Sequence, residues 1–63
     1  HLPTNLNVYN NARASGYTPM EAAFNTPTGR VAWKLGFQEI GDIRHGPIEN
    51  GVFKWVEVDF HRP

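Results

Sequence analysis

Residues 18–25 read Thr18-Pro19-Met20-Glu21-Ala22-Ala23-Phe24-Asn25, and the fold turns on whether they are helix or strand. As a helix, Thr18 is the N-cap and Pro19 takes the first helical position. Glu21, three residues after the cap, closes a capping box. Ala22 and Ala23 suit a helix. As a strand, Met20, Ala22 and Phe24 alternate with Glu21, Ala23 and Asn25 at a period of two. A second Thr-Pro at Thr26-Pro27 limits any helix here to about two turns. Local propensity favours helix.

Downstream, Thr26 and Pro27 open a second helix that runs through Arg30, Val31, Ala32, Trp33, Lys34 and Leu35 to a stop at Gly36. Val31 and Leu35 are one turn apart on one face, with the rest of the chain expected to pack back on this helix. Arg30 and Lys34 take another face, near the C-terminus where cations suit the helix dipole. Upstream, residues 1–5 read as an extended lead-in, because Pro3 disfavours helix at Leu2. Thr4 or Asn5 caps a helix with Leu6, Tyr9 and Ala12 on one face. Asn7, Asn10 and Asn11 weaken it, so it needs tertiary support. Gly16 is its stop.

After the pivot helix come two strands, Phe37–Arg44 and Val52–Phe60. Asn50-Gly51 between them is a strong turn signal, and Gly46-Pro47 bends the chain earlier. Val52, Val56, Val58 and Phe60 are expected on one face, interrupted only by Lys54, a snorkelling side chain in the plainer reading and part of a site in the other. Phe53, Trp55, Glu57 and Asp59 take the other, part aromatic and part acidic.

The chain has 63 residues, which bounds it to a single small domain, 1–63, with one layer of helix on one small sheet. It begins at His1 rather than Met, as expected of a processed chain or a piece of a longer fold. There is no cysteine, which removes disulfides, a thiolate zinc site and a cysteine nucleophile. Six Lys and Arg balance six Asp and Glu, and that balance argues against a dedicated nucleic-acid binder, which normally carries a basic excess. No run approaches the ~18 apolar residues of a membrane span. With no signal-like segment either, the expected location is cytoplasmic.

Little chemistry is legible. His1, His45 and His61 lack metal-ligand spacing and read as scattered surface histidines. They bind metal only if the fold brings them to Asp42, Glu49 or Asp59, and His1 alone is weak evidence for copper. Glu57 and Asp59 point the same way on one strand, about 7 Å apart. That pair suits acid–base work, and its plainer reading is two solvated charges on an open sheet face. Ser15 is the only serine, with no His or Asp in register for a triad. No glycine-rich phosphate loop is present.

Asn25-Thr26-Pro27-Thr28, then Lys34-Leu35-Gly36-Phe37 and Glu39-Ile40-Gly41, resembles the C-terminal half of the GNAT superfamily, the acyl-CoA-dependent N-acyltransferases. The step from Asn25 to Leu35 is the family's step, and the helix-then-Gly from Ala12 to Tyr17 resembles the segment that precedes the family's fifth strand. The resemblance covers about 45 residues and is concentrated in about a dozen. It implies a strand over Met20–Asn25, paired beside the Phe37–Arg44 strand. It implies acetyl-CoA as cofactor, with Asn25 and Arg30 as the coenzyme-binding residues. The family's frequent tyrosine, proton donor to the leaving thiolate, falls at Ala32. The coenzyme pyrophosphate loop belongs to the family's earlier half and has no counterpart here. The resemblance thus implies N-acetyl transfer to an amine only when a missing coenzyme-binding half is supplied.

Two other readings stand beside it. If residues 18–24 are helix, three helices precede the hairpin, which is the order of a winged helix. Thr28, Arg30 and Lys34 would then face DNA, with Arg44 and His45 near the wing tip. The acidic Glu39, Asp42 and Glu49 along that wing would repel phosphate. The remaining reading is a non-enzymatic protein-interaction domain. The expected fold class is α+β: two short helices with a small, mostly antiparallel sheet ending in a β-hairpin, a winged helix being the alternative. A half-fold leaves a sheet edge and apolar surface open, so a homo-oligomer or a complementing chain is expected to cover Trp33, Phe53 or Trp55.

Overall fold

Thr18 caps a helix. In the computed structural model, which describes residues 4–63, its side chain accepts from the Glu21 backbone N–H and the Glu21 carboxylate accepts from the Thr18 N–H. The result is α2, Pro19–Phe24, between α1 (Asn5–Ala14) and α3 (Pro27–Lys34). The strand expected over Met20–Asn25 does not form, so the helical layer has three helices rather than two. The reason lies in the packing as well as the cap. Ala22 and Ala23 are fully buried where α2 meets α1 and α3, and Met20 is exposed, so the period of two is not used. Gly29 of α3 lies against this turn so closely that a Cβ there would come 1.9 Å from the Ala23 carbonyl oxygen. Thr26, buried, joins the two helices: its hydroxyl donates to the Ala23 carbonyl at 2.7 Å and accepts from the Gly29 N–H at 3.0 Å.

α1 follows its sequence pattern. Thr4 caps it by accepting from the Asn7 N–H, and Tyr9 and Ala12 are buried. α1 and α3 end alike. After α3, Gly36 has φ +92, a left-handed value that a side chain would strain. Its N–H donates to the Trp33 carbonyl and that of Phe37 to the Ala32 carbonyl, satisfying two of the last free carbonyls. Gly16 ends α1 in the same way.

The hairpin follows in four pieces: β1 (Glu39–His45), β2 (Ile48–Glu49), β3 (Val52–Phe53) and β4 (Val56–His61). β1 pairs antiparallel with β4, and β2 with β3. Asn50 (φ 53) and Gly51 (φ 79) form the two-residue turn between β2 and β3. The ladders are joined by bonds from Gly46 N–H to the Trp55 carbonyl and from Lys54 N–H to the Pro47 carbonyl. Two irregularities set the faces. A bulge at Gly41, between the Ile40 and Asp42 pairs, puts Ile40 and Ile43 on the same inner face. The break at Lys54–Trp55 shifts the alternation, so Phe53 turns inward with Val56, Val58 and Phe60 while Val52 is exposed. The uninterrupted strand Val52–Phe60 of the sequence reading is corrected accordingly. No helix among the described residues is long and apolar enough to cross a membrane.

The core is small. Among the described residues, the buried apolar side chains are Tyr9, Ala12, Ala22 and Ala23, with the inner sheet face packed against them.

Candidate functional site

The most unusual surface is the outer side of α3. Val31 and Leu35, expected to face the core, are 56% and 61% exposed. With Pro27, Ala32, Phe37 and Phe60 they line a shallow groove of about 630 Å3. The core side of α3 is instead its N-terminal turn, where Gly29 approaches α2. At about 100° per residue Val31 and Leu35 lie roughly 160° and 120° round α3 from Gly29, so the face that Gly29 turns to α2 leaves them on the outer side. Trp33 leans on Phe24, with ring centroids 5.1 Å apart, and is itself half exposed.

Charge around this groove is one-sided. α3 carries Arg30 and Lys34 and no acid. Arg62 sits over the Phe37 ring, 5.4 Å from its centroid. Among the described residues, none of these three takes part in an ion pair. The hairpin's charges pair with each other instead: Arg44 with Glu57 at 3.1 Å and Asp42 at 3.9 Å, Lys54 with Glu49 at 2.9 Å, and His61 with Asp59 at 3.0 Å.

The residues expected to bind coenzyme are adjacent. Arg30 donates to the Asn25 side-chain oxygen at 3.0 Å, across the junction of α2 and α3. Ala32 is half-buried, and the position of the family's tyrosine offers no acid. Glu57 and Asp59 both lie on the exposed outer sheet face, each already partnered, Glu57 by Arg44 and Asp59 by His61.

The structure separates several other residues that sequence reasoning grouped. His45 turns inward and bonds the Tyr9 hydroxyl, whereas His61 bonds Asp59, and among the described residues no group of three or more His, Asp or Glu converges on a metal position. His1 lies outside the described residues. Trp33, Phe53 and Trp55 occupy three neighbourhoods rather than one interface: Trp33 on Phe24, Phe53 stacked on His45, and Trp55 over Gly46. Of the residues assigned to DNA contact, Thr28 is engaged by Asn5, Arg44 by Glu57 and His45 by Tyr9. Arg44 and His45 end β1, and the hairpin tip is Asn50-Gly51.

By its sequence Asn10 is only a poor helix former. Its amide accepts from the Phe53 N–H at 2.9 Å and donates to the Phe53 carbonyl at 3.1 Å, clasping α1 to β3 as a strand would. A lone polar residue on a helix face otherwise set by Leu6 and Tyr9 gives no sequence signal of such a bond.

No family model, curated protein or solved structure matches this chain.

Proposed function

We propose that this chain is a polypeptide-docking unit, the C-terminal part of an N-acyltransferase-like assembly that moves an acetyl group from acetyl-CoA to an amine only when a complementing chain supplies the coenzyme-binding half. The observation that carries the docking is the exposed apolar groove beside Val31 and Leu35. Isolated surface leucines are ordinary, but a contiguous apolar strip on a domain with so small a core marks an interaction surface. Arg62 over the Phe37 ring and Lys34 beside Leu35, neither in an ion pair among the described residues, select an occupant: a segment with apolar side chains on one face and Asp or Glu flanking them. A second copy fits less well. The acidic surface this chain offers is the outer sheet face of Glu39, Asp42, Glu57 and Asp59, which brings no apolar side chains to the groove.

The acyl-transfer part rests on the Asn25–Phe37 stretch and on the adjacency of Asn25 and Arg30. Helical α2 gives it no support, since the resemblance implies a strand there. The two parts separate by titration of 15N-labelled protein. Shifts at Val31 and Leu35 with a synthetic acidic amphipathic peptide, absent with a basic peptide of the same apolar pattern, support docking. Shifts at Asn25 and Arg30 with acetyl-CoA support the coenzyme role, and their absence removes acyl transfer while leaving docking intact.

A second reading, a winged-helix DNA-binding protein, is favoured by the order of three helices followed by a hairpin. The helix that would enter the major groove presents Val31 and Leu35 beside Arg30 and Lys34, whereas base edges are read chiefly by polar side chains. Salt-sensitive binding of random duplex DNA is the result that promotes this reading.

A further inference from the structure

The two layers meet firmly at one end and part at the other. Near the hairpin, Tyr9 and Asn10 of α1 hold His45 and Phe53. At the other end the first turns of α1 and α3 are tied to each other. The Asn5 amide donates to the Thr28 hydroxyl at 2.7 Å, and its oxygen accepts from the Thr28 N–H at 3.0 Å. Between this pair and β4 lies a cleft of about 300 Å3, whose apolar walls are Leu6, Tyr9, Trp55, Val56, Val58 and Phe60.

We propose that this cleft is a binding site for a neutral, flat apolar molecule of one or two aromatic rings. Its volume fits: a dry cavity of about 150 Å3 accepts benzene, and small-molecule pockets begin near 300 Å3. Its chemistry selects the class. Among the described residues no charged side chain lines it, so a charged ligand would be desolvated without a counter-ion from them. The polar groups that do line it are engaged elsewhere: Asn5 with Thr28, Thr26 with Ala23 and Gly29, and the Tyr9 hydroxyl with His45. Recognition is therefore by shape and ring contact, chiefly from Trp55 and Phe60, with Tyr9 closing the floor. The Trp55 wall is held in place by a residue with no side chain. A Cβ on Gly46 would lie 2.5 Å from the indole nitrogen, so glycine there lets the ring rest on the backbone. The cleft meets the α3 groove only at Thr28 and Phe60, and this ligand does not depend on the docking reading.

Indole is the test probe, titrated into the 15N-labelled full chain. Saturable shifts centred on Leu6, Val56, Val58 and the Trp55 side chain are expected. Indole-3-acetate, the same ring system with a carboxylate, is expected to bind at least about tenfold more weakly. Val58→Trp and Leu6→Trp, which fill the cleft from opposite walls, are expected to lower indole affinity at least about tenfold with native-like spectra. The proposal is overturned if no saturable shift occurs, if the shifts centre on Val31 and Leu35, or if indole-3-acetate binds equally well. Unchanged indole affinity in both folded tryptophan variants overturns it too.

Discussion

The hydroxyl of Tyr9 lies 2.6 Å from Nε2 of His45, joining the middle of α1 to the end of β1 across 36 residues of sequence. Tyr9 is 1% exposed, and its ring clusters with those of His45 and Phe53, the Tyr9–His45, His45–Phe53 and Tyr9–Phe53 centroids lying 5.6, 4.2 and 6.4 Å apart. The contact fixes which way the hairpin faces the helices.

Tyr9→Phe keeps the ring and leaves the half-buried imidazole nitrogen without its partner. The expected loss is about 1–2 kcal/mol in urea unfolding, with an unchanged m-value. The alkaline limb changes as well. Burial raises the Tyr9 pKa above its ordinary 10.0, against a smaller lowering by Arg13. A raised folded value means that the neutral phenol is favoured by folding. Its stabilisation is therefore complete below pH 10.0 and lost as pH rises through the folded value. Native protein should lose stability above pH 10.0 more steeply than Tyr9→Phe; parallel curves would mean that the phenol ionises equally well in both states.

The approach of α2 to α3 predicts a contrast between glycines. Gly29→Ala places a methyl 1.9 Å from the Ala23 carbonyl oxygen, with backbone rather than a movable side chain in its way. The expected loss is about 3 kcal/mol or more, enough to unfold much of a domain this small. Gly51→Ala meets nothing within 4 Å and carries only the strain of φ +79, about 1 kcal/mol. Thermal unfolding of the two variants compares them directly, and a Gly29→Ala protein as stable as Gly51→Ala would contradict the helix pair.

Thr18 and Glu21 decide α2, so its helicity should follow their chemistry. Thr18→Ala removes the N-cap acceptor and is expected to cost about 1 kcal/mol. The Glu21 carboxylate is held below its ordinary pKa by the Thr18 backbone N–H, then by the Thr18 hydroxyl, with slight desolvation opposing. A lowered folded value means that this contribution is present above the ordinary carboxylate range and lost as pH falls through the folded value. Cα chemical shifts over residues 19–24 should report helix at neutral pH and fray in acid. Glu21→Gln should remove most of that acid dependence. Strand-type shifts at neutral pH would restore the arrangement that the acyltransferase resemblance implies.

These two residues also show how much of the fold could be read from the chain. The capping box spells helix locally, and tertiary packing agrees with it, because alanines suit a close helix contact and leave nothing for a strand partner to gain. The turn at Asn50-Gly51 and the stops at Gly16 and Gly36 were legible for the same reason: each is a local backbone demand with one cheap residue. The faces of the hairpin were not. They depend on a bulge at Gly41 and a break at Lys54–Trp55, each of which moves the alternation by one, and a period-two pattern cannot register an inserted residue. The exposure of Val31 and Leu35 was hidden too. It follows from Gly29 bringing the start of α3 against α2, a long-range fit that amphipathic spacing does not encode. The Asn25–Arg30 bond joins residues only five apart, within reach of a local reading, whereas the Tyr9–His45 and Asn10–Phe53 bonds join residues too far apart in sequence to suggest one another.

That exposure gives a prediction that separates a docking face from a core face. In a core, replacing two large aliphatic side chains with serine removes apolar burial and leaves hydroxyls without partners, at several kcal/mol. On α3 the same change falls where Val31 is 56% and Leu35 61% exposed, so little buried area is lost. The Val31→Ser/Leu35→Ser double variant should therefore stay folded and lose no more than about 1–2 kcal/mol of unfolding free energy in urea. It should also lose binding of the acidic amphipathic peptide by about tenfold or more, because the apolar strip supplies the contact. Lys34→Glu/Arg62→Glu should weaken the same peptide chiefly through its association rate and make the remaining binding far less sensitive to salt. A double serine variant that unfolds would show that these side chains belong to the core. One that stays folded and binds the peptide as tightly as the native protein would place the docking surface elsewhere.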